Sequence, residues 1–158
     1  APAREADDRP RGSDNPHYTG LGEGPDPDAD PVATVRRLLE VALGRARAAG
    51  IADKRVVLDP GIGFFRDEAI PWDEWDARVL ARLGALRALG RPLCVGISRK
   101  SFVGAITGRR ESAERLPGSL AATALAVWNG AALVRTHDVA ETLDAARVAE
   151  RLRGVRRV

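Results

Sequence analysis

The sequence predicts an α/β protein built of parallel βα units, on three observations. Segments with apolar residues at three- and four-residue spacing alternate with short apolar runs, in the order helix, strand, helix, strand, helix, strand, helix. Two of those runs are apolar on both faces, as parallel strands covered by helices are. Each run ends in polar residues: Asp59-Pro-Gly, then Ser98-Arg99-Lys100-Ser101, then Arg135-Thr136-His137-Asp138. Such alternation admits a doubly wound sheet or a piece of a (β/α)8 barrel.

Residues 1–31 are rich in Pro, Gly, Asp and Arg and have almost no apolar periodicity, so a flexible or irregular segment is expected there. His17 within it has no partner at metal-ligand spacing and reads as an exposed histidine. Pro31 opens a helical pattern through Val35, Leu38, Leu39, Ala42 and Ala46, stopped at Gly50. A strand is expected over 55–59 and a turn over 59–63. One helix is expected from about 73 to 89, ended by Gly90, and a second strand over 92–97. A short helix from Lys100 to Ile106 and a polar loop to Leu116 come next. An alanine-rich helix then runs from Gly118 to Trp128, and a third strand covers 132–135. Asp138 and Glu141 form a capping-box pattern before a last helix to about Arg153. Residues 32–158 thus make one domain after the N-terminal segment.

Composition narrows the class. The 158-residue chain is 44% hydrophobic, enough for a core, and no apolar run or leader pattern suits a membrane or a signal. A soluble, cytoplasmic protein is the expectation. Cys94, the single cysteine, excludes an internal disulfide and reads as a buried, inert thiol. Net charge is +3, but the cations are scattered and aromatics are only 4%, so base stacking and nucleic-acid binding are disfavoured. A field attractive to small anions fits better. The absence of methionine favours a fragment of a longer chain.

In either fold, ligands bind where parallel strands end. Asp59 has two readings: a carboxylate that accepts two N–H donors of a nitrogen heterocycle, or a residue that simply begins a turn. Lys100 is one of two lysines in an arginine-rich chain. It suits a ring carbonyl or nitrogen, with Ser98 and Ser101 beside it at a helix start that suits a carboxylate or phosphate. Against that stands a reading of Ser98 as a plain N-cap with solvated cations. Arg135 and His137 alternate on an extended segment and are expected to face one way, as a clamp for a diphosphate. The competing reading is a structural His137, with Asp138 as helix cap.

Four linked stretches carry a resemblance. They are Asp59-Pro-Gly-Ile-Gly-Phe64, Val95-Gly-Ile-Ser-Arg-Lys-Ser101-Phe, Gly118-Ser-Leu-Ala-Ala, and Val134-Arg-Thr-His-Asp-Val139 with Glu141-Thr. In order and spacing they resemble dihydropteroate synthase, from about residue 32 to 153. The resemblance implies the C-terminal half of a TIM (β/α)8 barrel, in a pterin-binding enzyme of folate synthesis. Such a transferase joins 4-aminobenzoate to a dihydropterin methyl diphosphate and releases diphosphate. It implies Asp59, Lys100 and Gly96 on the pterin, Phe64 and Ser101 at the aminobenzoate, and Arg135 and His137 on the diphosphate. Catalysis would rest on Lys100, Arg135 and His137. It also implies Mg²⁺, whose asparagine ligand belongs to earlier strands not identifiable here, so no metal ligand is assigned in this chain. A homodimer through late helices, or a complementing half-barrel, is the implied protein partner.

The chain departs from the family at Phe65-Arg66, where Gly-Lys is usual, and at Ile70-Pro-Trp72, where a more polar stretch is usual. Two classes of function follow. One is an active synthase once the missing N-terminal half is supplied; the other is a truncated or degenerate noncatalytic pterin-binding or assembly module.

Overall fold

A computed structural model of the chain describes residues 30–65 and 71–155. Apart from Asp30 and Pro31, the segment expected to be irregular lies outside the described residues, with His17. So do Arg66 and Ile70. Helix α1 covers Pro31–Ala48. Asp30 caps it by accepting from the Val32 N–H at 3.2 Å, and Pro31 sits in the first turn, where no N–H is needed. Arg82 donates to the same Asp30 carboxylate at 2.8 Å, tying the helix start to a distant segment. Val32, Val35, Leu39 and Leu43 form the buried stripe.

Two of the three expected strands are present, parallel and very short. β1 is Cys94–Gly96 and β2 is Leu133–Arg135, paired in parallel with Gly96 opposite Arg135. The strand expected over 55–59 contracts to a single parallel bridge between Leu58 and Leu93. A 3₁₀ turn over Asp53–Arg55 occupies its beginning, and Val57 is exposed. The segments therefore lie in the order Leu58, β1, β2, with β1 in the middle. Val95 and Ile97 are fully buried beneath the helices. β2 is different: Leu133 remains 46% exposed, so its apolar character is not covered by the described residues.

The long helix expected over 73–89 breaks in two. α2 runs over Trp72–Ala81, and after Arg82 (φ −108°, ψ 19°) a 3₁₀ helix covers Leu83–Leu89, ended by left-handed Gly90. At the break Asn129 donates from its side-chain amide to the Leu80 and Ala81 carbonyls at 3.2 and 3.1 Å. Those carbonyls would otherwise await N–H groups of a continuing helix. Gly84 allows the close approach: an added Cβ would lie 3.3 Å from the Asn129 carbonyl oxygen. The apolar positions keep their places, with Leu83 and Leu86 fully buried. Phe65 is buried and stacks on Trp75 of α2, ring centroids 3.6 Å apart.

α3 covers Ser101–Thr107, α4 Leu116–Trp128 and α5 Val139–Val155. A 3₁₀ turn over Ser112–Arg115 leads into α4, which begins two residues before the expected Gly118. Gly118 lets α4 pack on α3, since an added Cβ would meet the Val103 side chain at 2.6 Å. Asp138 opens α5 with its carbonyl, which accepts from the Thr142 N–H at 3.0 Å. α5 is fastened to the end of α4 by Arg153, which donates to the Val127 carbonyl at 2.6 Å. Among the described residues, no helix is long and apolar enough to cross a membrane.

Candidate functional site

The turn after Leu58 is shaped by its own sequence. Asp59 accepts the Gly61 N–H at 2.9 Å, the turn hydrogen bond its local sequence favours. Gly61 and Gly63 both adopt positive φ, 73° and 84°. The Gly63 N–H donates to Asp76 of α2 at 2.9 Å, and that carboxylate is almost wholly buried. Lys100 lies directly on this turn: a Cβ on Gly63 would stand 2.7 Å from its Cδ. Its ammonium sits 4.2 Å from the centre of the half-exposed Phe64 ring, in cation–π contact.

Gly96 has a second consequence. Arg135, its partner in the parallel ladder, extends over it and donates from Nη2 to Asp59 at 2.7 Å. A Cβ on Gly96 would lie 3.1 Å from that Nη2. The bare backbone of the middle strand is thus the path by which a residue of β2 reaches the end of the first segment. Asp59 forms the turn, one of its two sequence readings, and its other carboxylate oxygen accepts from the Arg135 guanidinium.

His137 has its own partner. β2 ends at Arg135, and His137 lies in a bend beyond it. Its Nδ1 meets Ser98 Oγ at 3.0 Å, and its N–H donates to the same hydroxyl at 3.3 Å. Ser98 is therefore not the helix cap: Lys100 holds that position for α3, and the Ser98 hydroxyl serves β2's end. Asp138 turns its carboxylate to Arg99, which donates from Nη2 at 2.5 Å and from Nε at 3.0 Å. That hydrogen bond, then the guanidinium charge, then His137 and Ser98, hold the Asp138 carboxyl below the usual aspartate range against the opposing pull of burial. The Arg99 pKa is raised in turn, first by the same hydrogen bond and then by the Asp138 charge.

A cavity of about 400 Å³ opens between these elements, lined by Ser98, Arg99, Lys100, Ser101, Arg115 and His137 among others. The structure brings Lys100, Ser101 and His137 to this one cavity. It places Phe64 under Lys100 and joins Asp59 to Arg135 beside Gly96. Arg135 and His137 have separate partners, Asp59 and Ser98. The ends of all three segments are nevertheless linked in one chain of contacts: Arg135 to Asp59, Lys100 to the Asp59 turn, Ser98 to His137. Arg99, Arg115, Ser119 and Asp76 also shape the site and carried no functional assignment in the sequence. Arg99 and Ser119 lay within quoted motifs; Arg115 and Asp76 had no local signal.

The cavity lining is cationic or neutral, which suits anionic groups and repels a divalent cation. Among the described residues, no three His, Cys, Asp or Glu side chains group as metal ligands. The described residues thus do not fit the Mg²⁺ implied by the resemblance, and no step below runs through it.

The chain is 41% identical over 124 residues to a dihydropteroate synthase of Neisseria meningitidis serogroup B, covering 78% of this chain and 42% of that protein. It is 41% identical over 121 residues to dihydropteroate synthase of Escherichia coli K12, covering 77% and 41%. The solved Xanthomonas albilineans dihydropteroate synthase with 4-aminobenzoic acid superposes with a TM-score of 0.74 at 40% identity, over 86% of this chain and 49% of that one. The same organism's enzyme in complex with 7,8-dihydropteroate superposes with a TM-score of 0.71 at 39% identity, over 80% and 47%. The chain thus spans about two fifths of the length of the curated relatives and about half of the solved chains. Its parallel βα units are part of the TIM (β/α)8 barrel of those neighbours. The model of the pterin binding enzyme family matches residues 22–137, and to that family the chain belongs.

Proposed function

We propose that this chain supplies the pterin- and diphosphate-binding half of a dihydropteroate synthase of folate biosynthesis. The reaction condenses 4-aminobenzoate with 6-hydroxymethyl-7,8-dihydropterin diphosphate to give dihydropteroate and diphosphate. One observation carries the reading: Lys100 rests on the Asp59 turn while lining the same cavity as Ser101 and His137. Relatives of that name and activity support it.

In this reading Asp59 and Lys100 hold the pterin ring, with Gly96 leaving room beside it. Phe64 and Ser101 border the aminobenzoate. Arg135 and His137 take the diphosphate. The amine nitrogen attacks the methylene carbon, the C–N bond forms and the C–O bond breaks. The electron pair leaves with diphosphate and the amine loses a proton to solvent. Negative charge grows on the leaving group, where a guanidinium and an imidazole stabilise it. Without ligand Arg135 is engaged by Asp59, but an ion pair as exposed as this one is worth about 0–1 kcal/mol. A diphosphate draws Arg135 across at little cost, and the same movement frees Asp59 for the ring N–H donors. Exposed Leu125, Leu143, Val148 and Leu152 on α4 and α5 support a homodimer through these helices.

A second reading, a noncatalytic pterin-binding or assembly module that pairs with another half-barrel, is favoured by the exposure of Leu133 on β2. Titration with 7,8-dihydropteroate and a separate assay of diphosphate release distinguish the two. Binding with release supports the synthase; binding without release supports the module. Lys100→Ala is expected to weaken dihydropteroate binding about tenfold or more, the scale of a hydrogen bond to a charged group. Unchanged affinity would remove Lys100 from the ring site. Sedimentation of the protein tests the dimer.

A further inference from the structure

Arg99 is the one non-glycine among the described residues with positive φ, 58°. That left-handed conformation is unfavourable for an L residue and persists where surroundings hold it. Here three groups do so. The Arg99 N–H donates to Ser119 Oγ at 2.9 Å, and Ser119 in turn donates to the Arg115 carbonyl at 2.7 Å. The Arg115 guanidinium donates back to the Arg99 carbonyl at 3.1 Å, closing a ring of hydrogen bonds. It also donates to the Arg109 and Arg110 carbonyls, which anchors the polar loop to the same ring. The Arg99 side chain is gripped at both Nη2 and Nε by Asp138.

The turn has a geometric effect. Were residues 98–100 extended, the side chains of Ser98 and Lys100 would share one side of the chain. Instead Ser98 reaches His137 at the end of β2, and Lys100 reaches Gly63 and Phe64 beyond the opposite edge of β1. We infer that Arg99 is a positioning residue. Locked in a left-handed turn by Ser119, Arg115 and Asp138, it sends Ser98 with His137 to one side and Lys100 to the other. The ligand consequences rest on the function proposed above; the positioning itself does not.

The test reads Lys100 by NMR in the full-length protein. The Phe64 ring current should shift the Lys100 ε-methylene protons upfield of those of Lys54. Ser119→Ala and Asp138→Asn should each return the Lys100 signal most of the way to the Lys54 position. Glycine adopts the left-handed turn unaided, so Arg99→Gly combined with Ser119→Ala should restore the upfield shift. An upfield signal that stays put in both single variants overturns the proposal. So does a loss that Arg99→Gly fails to rescue. If Ser119→Ala does not fold, Asp138→Asn with its own Arg99→Gly partner carries the same comparison. In parallel, the affinity for 7,8-dihydropteroate should fall about tenfold in Ser119→Ala and recover in the double variant. A Lys100 signal that moves as expected with unchanged dihydropteroate affinity upholds the positioning and overturns the assignment of Lys100 to the pterin.

Discussion

Arg135 reaches Asp59 across Gly96: its guanidinium lies over the bare strand and donates to the carboxylate at 2.7 Å. The contact joins the ends of two segments separated by β1. Both partners are substantially solvent-exposed, so the contact matters for placement more than for stability.

Gly96→Ala tests that statement. The new methyl group meets a movable guanidinium at 3.1 Å, so Arg135 is displaced slightly and the backbone stays. Unfolding free energy should change by less than about 1 kcal/mol, while affinity for 7,8-dihydropteroate falls. A loss of more than about 2 kcal/mol in urea titration would mean that Gly96 serves the packing of β1.

Asp138 and Arg99 give the protein an acid-sensitive contact. The folded Asp138 carboxyl titrates below its unfolded value, chiefly because Arg99 donates to the ionised form. The stability this contributes is therefore whole above the ordinary aspartate pKa of about 3.9 and is lost as pH falls through the lower folded value. Asp138→Asn removes that component, so the stability of wild type and variant should converge as pH drops through this window. Urea midpoints that run parallel down to acid pH would show that the pair adds nothing.

Asn129 caps α2 from a distant part of the chain. Asn129→Ala removes the amide donor from the Leu80 and Ala81 carbonyls and is expected to cost about 1–3 kcal/mol, two hydrogen bonds' worth. Urea unfolding should show a lower midpoint with an unchanged slope. A cost below about 0.5 kcal/mol would assign the break in α2 to another cause.

Leu86, fully buried in the 3₁₀ segment, measures how much of the core depends on that segment. Leu86→Ala should destabilise by about 2–5 kcal/mol. Ile106→Ala, at a site 63% exposed, should stay within about 0.5 kcal/mol. Equal effects from the two would contradict the placement of Leu86 in the core.

Much of the site could be read along the chain. Asp59, Lys100 and His137 each stand at the end of an apolar run, and parallel strands deliver their ends to one face. Lys100 stood out further because lysine is so rare here. The partners that Arg135 and His137 take, Asp59 and Ser98, lie 76 and 39 residues away and had no signal along the chain. The single helix over 73–89 did not hold. Its apolar spacing is real and its residues are buried, but periodicity reports which side faces the core and not whether a remote amide takes the carbonyls.

The order of elements, the parallel arrangement, the buried stripe of α1 and the glycine turn at 61–63 follow from local pattern, since each depends on residues a few positions apart. The left-handed turn at Arg99, the passage of Arg135 over Gly96 and the capping of α2 by Asn129 were settled by the packed chain. Each joins groups distant in sequence through hydrogen bonds that form only once the helices and strands have packed together.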